Sequence, residues 1–143
     1  MTAARTPRLI YSGAFRDTFQ RLQSDPQAVA GLSAAMTYLA DFGRSAVSPD
    51  VQWHLQTSAY GSHAGEVRWP NPEDQHDHPG QAWRGLFVAA VDTSWIIFTV
   101  LGNKAIGPAR GNDWYRSAVP RSDDIAAQAI EMLGLTAHPS RHE

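Results

Sequence analysis

Residues 83–101 read WRGLFVAAVDTSWIIFTVL, and the fold turns on how this run is understood. A membrane-spanning helix needs about 20 mostly apolar residues. Arg84, Asp92 and Ser94 interrupt this run. Asp92-Thr93 has the chemistry of a tight hairpin turn. The run therefore reads as two apolar strands, 83–91 and 94–101, folded back on one another.

Working upstream, residues 70–82 (PNPEDQHDHPGQA) form a polar, proline-containing loop. Glu66-Val67-Arg68-Trp69 alternates as a strand should, after a turn at 61–65. Val51, Trp53, Leu55 and Thr57 alternate with Gln52, His54 and Gln56, which predicts a half-buried strand behind the turn Ser48-Pro49-Asp50. Val29, Leu32, Met36 and Leu39 repeat at helical spacing between Ser24-Asp25-Pro26, a helix-start signal, and Gly43, a stop. Phe15, Phe19 and Leu22 make an earlier helical face, with Ser12 placed as its N-cap and RLIY (8–11) as a short strand. Residues 14–42 thus read as two amphipathic helices, or one broken near Asp25.

Downstream, residues 102–113 (GNKAIGPARGND) read as irregular. Ser122-Asp123-Asp124 predicts the start of a last helix, with acids at its positive end. Ile125, Ala129 and Met132 are expected on its buried face, and Gly134 closes it. The expected architecture is α+β: a small antiparallel sheet of about four to five strands, with the helices segregated to one face. It is one domain spanning 1–143, with a loose start at 1–7 and a mobile tail at 136–143.

The composition bounds the function. The chain has 143 residues, 43% hydrophobic and 18% charged, enough for a core of its own. It has no cysteine, which excludes a disulfide framework, a thiolate metal site and a cysteine nucleophile. The net charge of −2 gives no global basic field. Eleven of twelve basic residues are arginine, leaving Lys104 as the single lysine. No signal-peptide core is visible at the N-terminus, so the expectation is a soluble, cytoplasmic protein without a membrane partner.

The spread of motifs resembles the RelE/ParE toxin superfamily, and its HigB-like, phage-associated branch in particular. RLIYSGAFRDTFQRL is similar to that family's opening strand and first helix. VQWHLQTSAYGSHAGEVRW resembles the segment that leads into its Glu-Leu-Arg strand, here Glu66-Val67-Arg68. WRGLFVAAVDTSWIIFTVLGNKA is similar to its hairpin, with an arginine opening one strand, an aspartate turn, and a lysine ending the next. SDDIAAQAIEML resembles its closing helix. The resemblance covers about residues 8–133. It implies the toxin of a type II toxin–antitoxin pair, a metal-independent endoribonuclease that cuts mRNA, usually on the ribosome, and is held in check by a cognate antitoxin. A gyrase-directed toxin of the ParE kind is the next reading. A non-catalytic protein-binding module on the same scaffold is the third.

The resemblance places Arg68, Arg84 and Lys104 on neighbouring strands. Arginine offers a planar fork to phosphate oxygens and lysine a point charge, so these three are the expected phosphate-binding catalytic set. Residues 84–121 hold five basic residues against Asp92 and Asp113, which marks an anion-binding segment. His54, on the polar face of its strand, and Tyr115 are candidate proton carriers. Trp114 could stack on a base, and Arg110 and Arg116 could bind RNA. Glu73, Asp74, His76, Asp77 and His78 are the densest group of possible metal ligands, but they sit in a proline-flanked loop and read as solvated. No metal or cofactor is expected. Residues 102–111 lack the phosphate-loop pattern, and no nucleophile elbow is present.

Overall fold

A computed structural model describes residues 6–141. It shows an α+β fold in which eight main elements follow one another: β1 (Arg8–Tyr11), α1 (Gly13–Arg21), α2 (Pro26–Phe42), β2 (Val51–Trp53), β3 (Ala64–Trp69), β4 (Trp83–Ala89), β5 (Trp95–Asn103) and α3 (Asn112–Leu133). The five strands form one sheet in the order β1-β5-β4-β3-β2. β1 lies parallel to β5, and every other pairing is antiparallel.

The 83–101 run is the hairpin that the sequence implies, and it occupies the middle of the sheet. Its strands are buried along nearly their whole length. A strand reads as continuously apolar when both sheet faces are covered, and both are. α1 and α2 pack on one face against Val67, Phe87, Ala89, Ile96 and Phe98. α3 packs on the other against Leu86, Val88, Ile97 and Val100. The helices are therefore not gathered on one face. β4 and β5 expose apolar residues in both directions, and a single layer of helices would leave half of them in water.

Local chemistry explains the N-terminal helices. Ser12 caps α1 by accepting from the Phe15 N–H at 3.0 Å, and its hydroxyl donates to Thr99 O at 2.6 Å. Asp25 caps α2 through the Ala28 N–H, with Pro26 in the first turn. Gly43 ends α2 with φ +53. Gly31 of α2 has a packing reason, because the Trp69 indole occupies the space that a Cβ would need.

The structure corrects three expectations. β2 stops at Trp53 rather than running to Thr57, because His54 and Thr57 take left-handed backbone angles of φ +64 and +66. α3 begins at Asn112, ten residues before Ser122, and runs through Pro120. Its buried face is Ala118, Val119, Ser122, Asp123 and Ala126, whereas Met132 is 75% exposed. Proline removes one helical hydrogen bond, but burial of Ala118 and Val119 on the sheet outweighs that loss.

A register shift between Leu86 and Phe87 leaves Thr99 as an extra residue of β5. Thr99 Oγ1 donates to Leu86 O at 3.1 Å and lies 2.5 Å from the Ser122 hydroxyl, which ties α3 to the sheet. Residues beyond Thr136 are also held. Trp95 Nε1 donates to Thr136 O at 2.7 Å, Val91 N to Ala137 O at 2.8 Å, and Arg141 pairs with Asp124 at 2.6 Å. The expected loose start at 1–7 lies outside the described residues except for its last two.

Candidate functional site

Sheet register brings the central charges together. Arg68 of β3 stands opposite Arg84 of β4, and Arg84 opposite Gly102 of β5. Glu66 and Arg68, two residues apart, point to the α3 face, while Val67 between them points to the other core. Lys104 follows β5 directly, held by its N–H to Ala82 O at 3.0 Å.

The first turns of α3 pass over this end of the sheet. Trp114 lies on Gly102, where a Cβ would stand 2.8 Å from the indole. Tyr115 then reaches the sheet, and its hydroxyl donates to Glu66 Oε2 at 2.7 Å. Lys104 Nζ lies 5.1 Å from the centre of the Tyr115 ring.

Beneath this layer, Arg84 is only 1% exposed. Its guanidinium donates to Pro70 O and to Trp83 O, both at 2.9 Å, and to Gln75 Oε1 at 3.3 Å. The Nε atoms of Arg84 and Arg68 are buried without an acceptor. Burial pushes the Arg84 pKa down, opposed by the Glu66 charge and by Tyr115. Lys104 is likewise pushed down, first by burial and then by Arg84, with Glu66 opposing. Burial, the Glu66 charge and the Glu66 hydrogen bond push the Tyr115 phenol far up. The phenol therefore stays protonated and cannot serve as a base.

Above these groups opens a cavity of about 440 Å³. Arg68, Lys104 and Arg116 supply its positive charge, and Glu66 with Tyr115 lies at its floor. Gln52, Gln56 and Thr57 contribute a neutral polar side, Asn112 faces in from α3, and His54 stands exposed at the rim. Arg116 also pairs with Asp113 at 3.5 Å, an exposed contact of little strength.

Of the residues singled out in the sequence, Arg68, Lys104, His54, Tyr115 and Arg116 meet at this cavity. Three do not. Arg84 lies below it, committed to backbone carbonyls. Trp114 is half-buried against Gly102, T-shaped to Tyr115 and outside the cavity lining. Arg110 is exposed outside the cavity, its Nε donating to Gly107 O at 2.9 Å. The sequence reading did not mark Glu66, Gln52, Gln56, Thr57 or Asn112 as site residues. Glu66 had a legible signal, since it shares a strand face with Arg68. Gln52 and Gln56 alternate with His54 on one polar strand face, whereas Thr57 and Asn112 carried no signal in the sequence.

A larger cavity of about 740 Å³ opens between β1, α1 and α2, lined by Leu9, Phe15, Phe19 and Met36, with Arg16 and Asp17 at its charged edge. Its size exceeds that of the cationic cavity, but it gathers no cluster of cations or acid–base groups. Among the described residues no group of three or more histidine, aspartate or glutamate side chains is placed to hold a metal ion. In the 70–82 loop, His76 pairs with Asp77 at 3.3 Å and the His78 ring lies against Trp69. No helix among the described residues is long and apolar enough to cross a membrane.

The fold and site define a small α+β protein with a cationic cleft. Comparisons with protein-family models, with curated proteins and with solved structures find no match for this chain.

Proposed function

We propose that this protein is a RelE/ParE-like toxin acting as an endoribonuclease on mRNA, with the cationic cavity as its RNA site. The observation that carries the reading is the convergence of Arg68, Lys104 and Arg116, from three separate elements, on one concave site with His54 at its rim. A concave cationic site suits a phosphodiester better than a flat protein surface. The tryptophans that would build an aromatic docking face are each otherwise engaged. Trp53 packs edge-on against Phe87 beneath Arg44, Trp69 fills the space at Gly31, and Trp114 covers Gly102. The order of opening strand and helix, hairpin and closing helix also follows the resemblance.

In this reading Arg68 and Lys104 hold the phosphate and stabilise the charge that builds on its oxygens as the ribose 2′-hydroxyl attacks. His54, an exposed imidazole at the rim of the cavity, exchanges protons with the attacking or leaving oxygen. Tyr115 donates a hydrogen bond to Glu66 and keeps its proton, and Arg84 holds the strand end from below. A cognate antitoxin and the ribosome are the partners that this function entails, and the cytoplasm its location.

The test is transcript 5′-end mapping shortly after induction, beside an Arg68→Ala/Lys104→Ala variant whose folding is checked by circular dichroism. New ends that vanish in the variant support the reading, and their spacing relative to codons reports the role of the ribosome. An unchanged transcript population with intact expression overturns it.

A further inference from the structure

Lys104 is the single lysine of the chain, and its backbone is fixed on both sides. Its N–H donates to Ala82 O at 3.0 Å, and its carbonyl accepts from the Gly111 N–H at 2.8 Å. The side chain lies over the Tyr115 ring, which the hydrogen bond to Glu66 keeps in place. None of the ion pairs among the described residues involves Lys104. It is half-buried and lines the cavity, so a molecule that enters can reach it.

Two kinds of cation share the cavity, and they differ in what they can do. The guanidiniums of Arg68 and Arg116 stay charged and bind oxyanions without reacting. A lysine amine is a nucleophile whenever it is unprotonated. Burial, then the charge of Arg84, pushes the Lys104 pKa down, against the pull of Glu66. A larger share of this amine is therefore free than in an ordinary exposed lysine at the same pH. The cavity thus sets two anion-holding groups beside one nucleophile. A small acyl phosphate fits that arrangement. Its carbonyl carbon is one bridging oxygen from phosphorus, so a phosphoryl group anchored on the arginines carries the carbonyl to the amine. In larger acyl carriers the phosphates lie many bonds from the acyl group, and anchoring them does not bring it near. A volume of about 440 Å³ admits the whole of the smaller molecule.

We propose that Lys104 is a self-acylation site for small acyl phosphates, with Arg68 and Arg116 holding the phosphoryl group while the Lys104 amine attacks the carbonyl. The nitrogen lone pair forms the new C–N bond. The bond from the carbonyl carbon to the bridging oxygen breaks, and inorganic phosphate leaves with that electron pair. The nitrogen gives up a proton to the departing phosphate or to water, and nothing is oxidised or reduced. The product is a neutral amide, so acylation removes one of the cavity's three cations. The proposal stands apart from the RNA reading; under that reading, acylation weakens the grip on phosphate.

The experiment incubates the purified protein with acetyl phosphate and follows acetylation by intact mass and peptide mapping. A peptide of residues 101–107 with blocked ends gives the rate of an untemplated lysine. Lys104 is expected to react about tenfold or more faster than the peptide. Its rate should saturate in acetyl phosphate and fall when inorganic phosphate competes. p-Nitrophenyl acetate, an acetyl donor without a phosphate, separates anchoring from reactivity. Arg68→Ala/Arg116→Ala, checked for folding by circular dichroism, should slow the acetyl phosphate reaction about tenfold and leave the reaction with the neutral ester within about twofold. Equal rates for Lys104 and the peptide overturn the proposal, as does acetylation confined to the N-terminal amine or an equal loss with both donors in the arginine variant. A wild-type rate that inorganic phosphate leaves unchanged overturns it without recourse to any variant.

Discussion

At the residue scale, the Tyr115–Glu66–Arg84 stack decides what the site can do. Arg84 lies near the start of β4 with the look of a surface phosphate ligand, yet its terminal Nη groups are committed to Pro70 O, Trp83 O and Gln75. Leaving a buried carbonyl without its donor costs about 1–3 kcal/mol. Arg84→Ala is therefore expected to lower urea-unfolding stability by about 2 kcal/mol or more, and a loss below about 1 kcal/mol would show that Arg84 is no structural pin. Tyr115 gives a pH prediction. Its folded pKa is raised above the ordinary 10.0 by burial, the Glu66 charge and the Glu66 hydrogen bond. The folded state thus holds the phenolic proton more tightly than the unfolded chain does. The resulting stabilisation is whole below about pH 10 and is lost as pH rises from there toward the folded value. Tyr115→Phe is expected to cost about 1–2 kcal/mol at neutral pH through the lost hydrogen bond. It should then lose stability less steeply than the wild type between about pH 10 and 11.5, as followed by urea unfolding. Parallel curves for the two proteins would contradict this account of Tyr115.

At the scale of elements, the N-terminal half was legible and α3 was not. Ser12 and Asp25 act as the caps that their positions announce, because capping depends on a side chain and a backbone N–H three residues away. Ser12 does more than its local sequence tells, since its hydroxyl also reaches Thr99 O across the sheet edge. Ser12→Ala is expected to cost about 1–2 kcal/mol, read as a lower denaturant midpoint with an unchanged slope. The start of α3 was misread for a reason that is equally physical. Pro120 argues locally for a break, and long-range burial of Ala118 and Val119 overrides it. Pro120 is exposed, so Pro120→Ala replaces a helix breaker without touching the core. Thermal or urea unfolding should show a gain of about 1 kcal/mol or more; a loss would mean that the proline itself is needed to seat Trp114 and Tyr115.

At the scale of the whole molecule, charge is distributed against its average. The chain carries a net −2, yet Arg68, Lys104 and Arg116 share one cavity. Binding of single-stranded RNA should accordingly weaken with salt. About 0.7 counterions are released per phosphate neutralised on a single strand, so three cations give a slope of about −2 in log affinity against log salt. Arg68→Ala/Lys104→Ala should bring the slope to about −0.7. A salt-independent affinity would separate this cavity from phosphate binding altogether.

By itself, the sequence determined the α+β class, the central hairpin, the two N-terminal helices with their caps, and the concentration of basic residues between 84 and 121. Each of these rests on periodicity, turn chemistry or capping, which act over a few neighbouring residues. Only the tertiary structure decided that α3 covers the second sheet face, that Arg84 is sealed beneath the site while Arg68 lines it, and that Glu66 and Tyr115, 49 residues apart, share a hydrogen bond. It also set residues 52–57 beside Lys104, although β3 and β4 separate their strands in the sheet. These outcomes follow from sheet register and from competition for buried area between distant segments, and no local stretch of chain carries either.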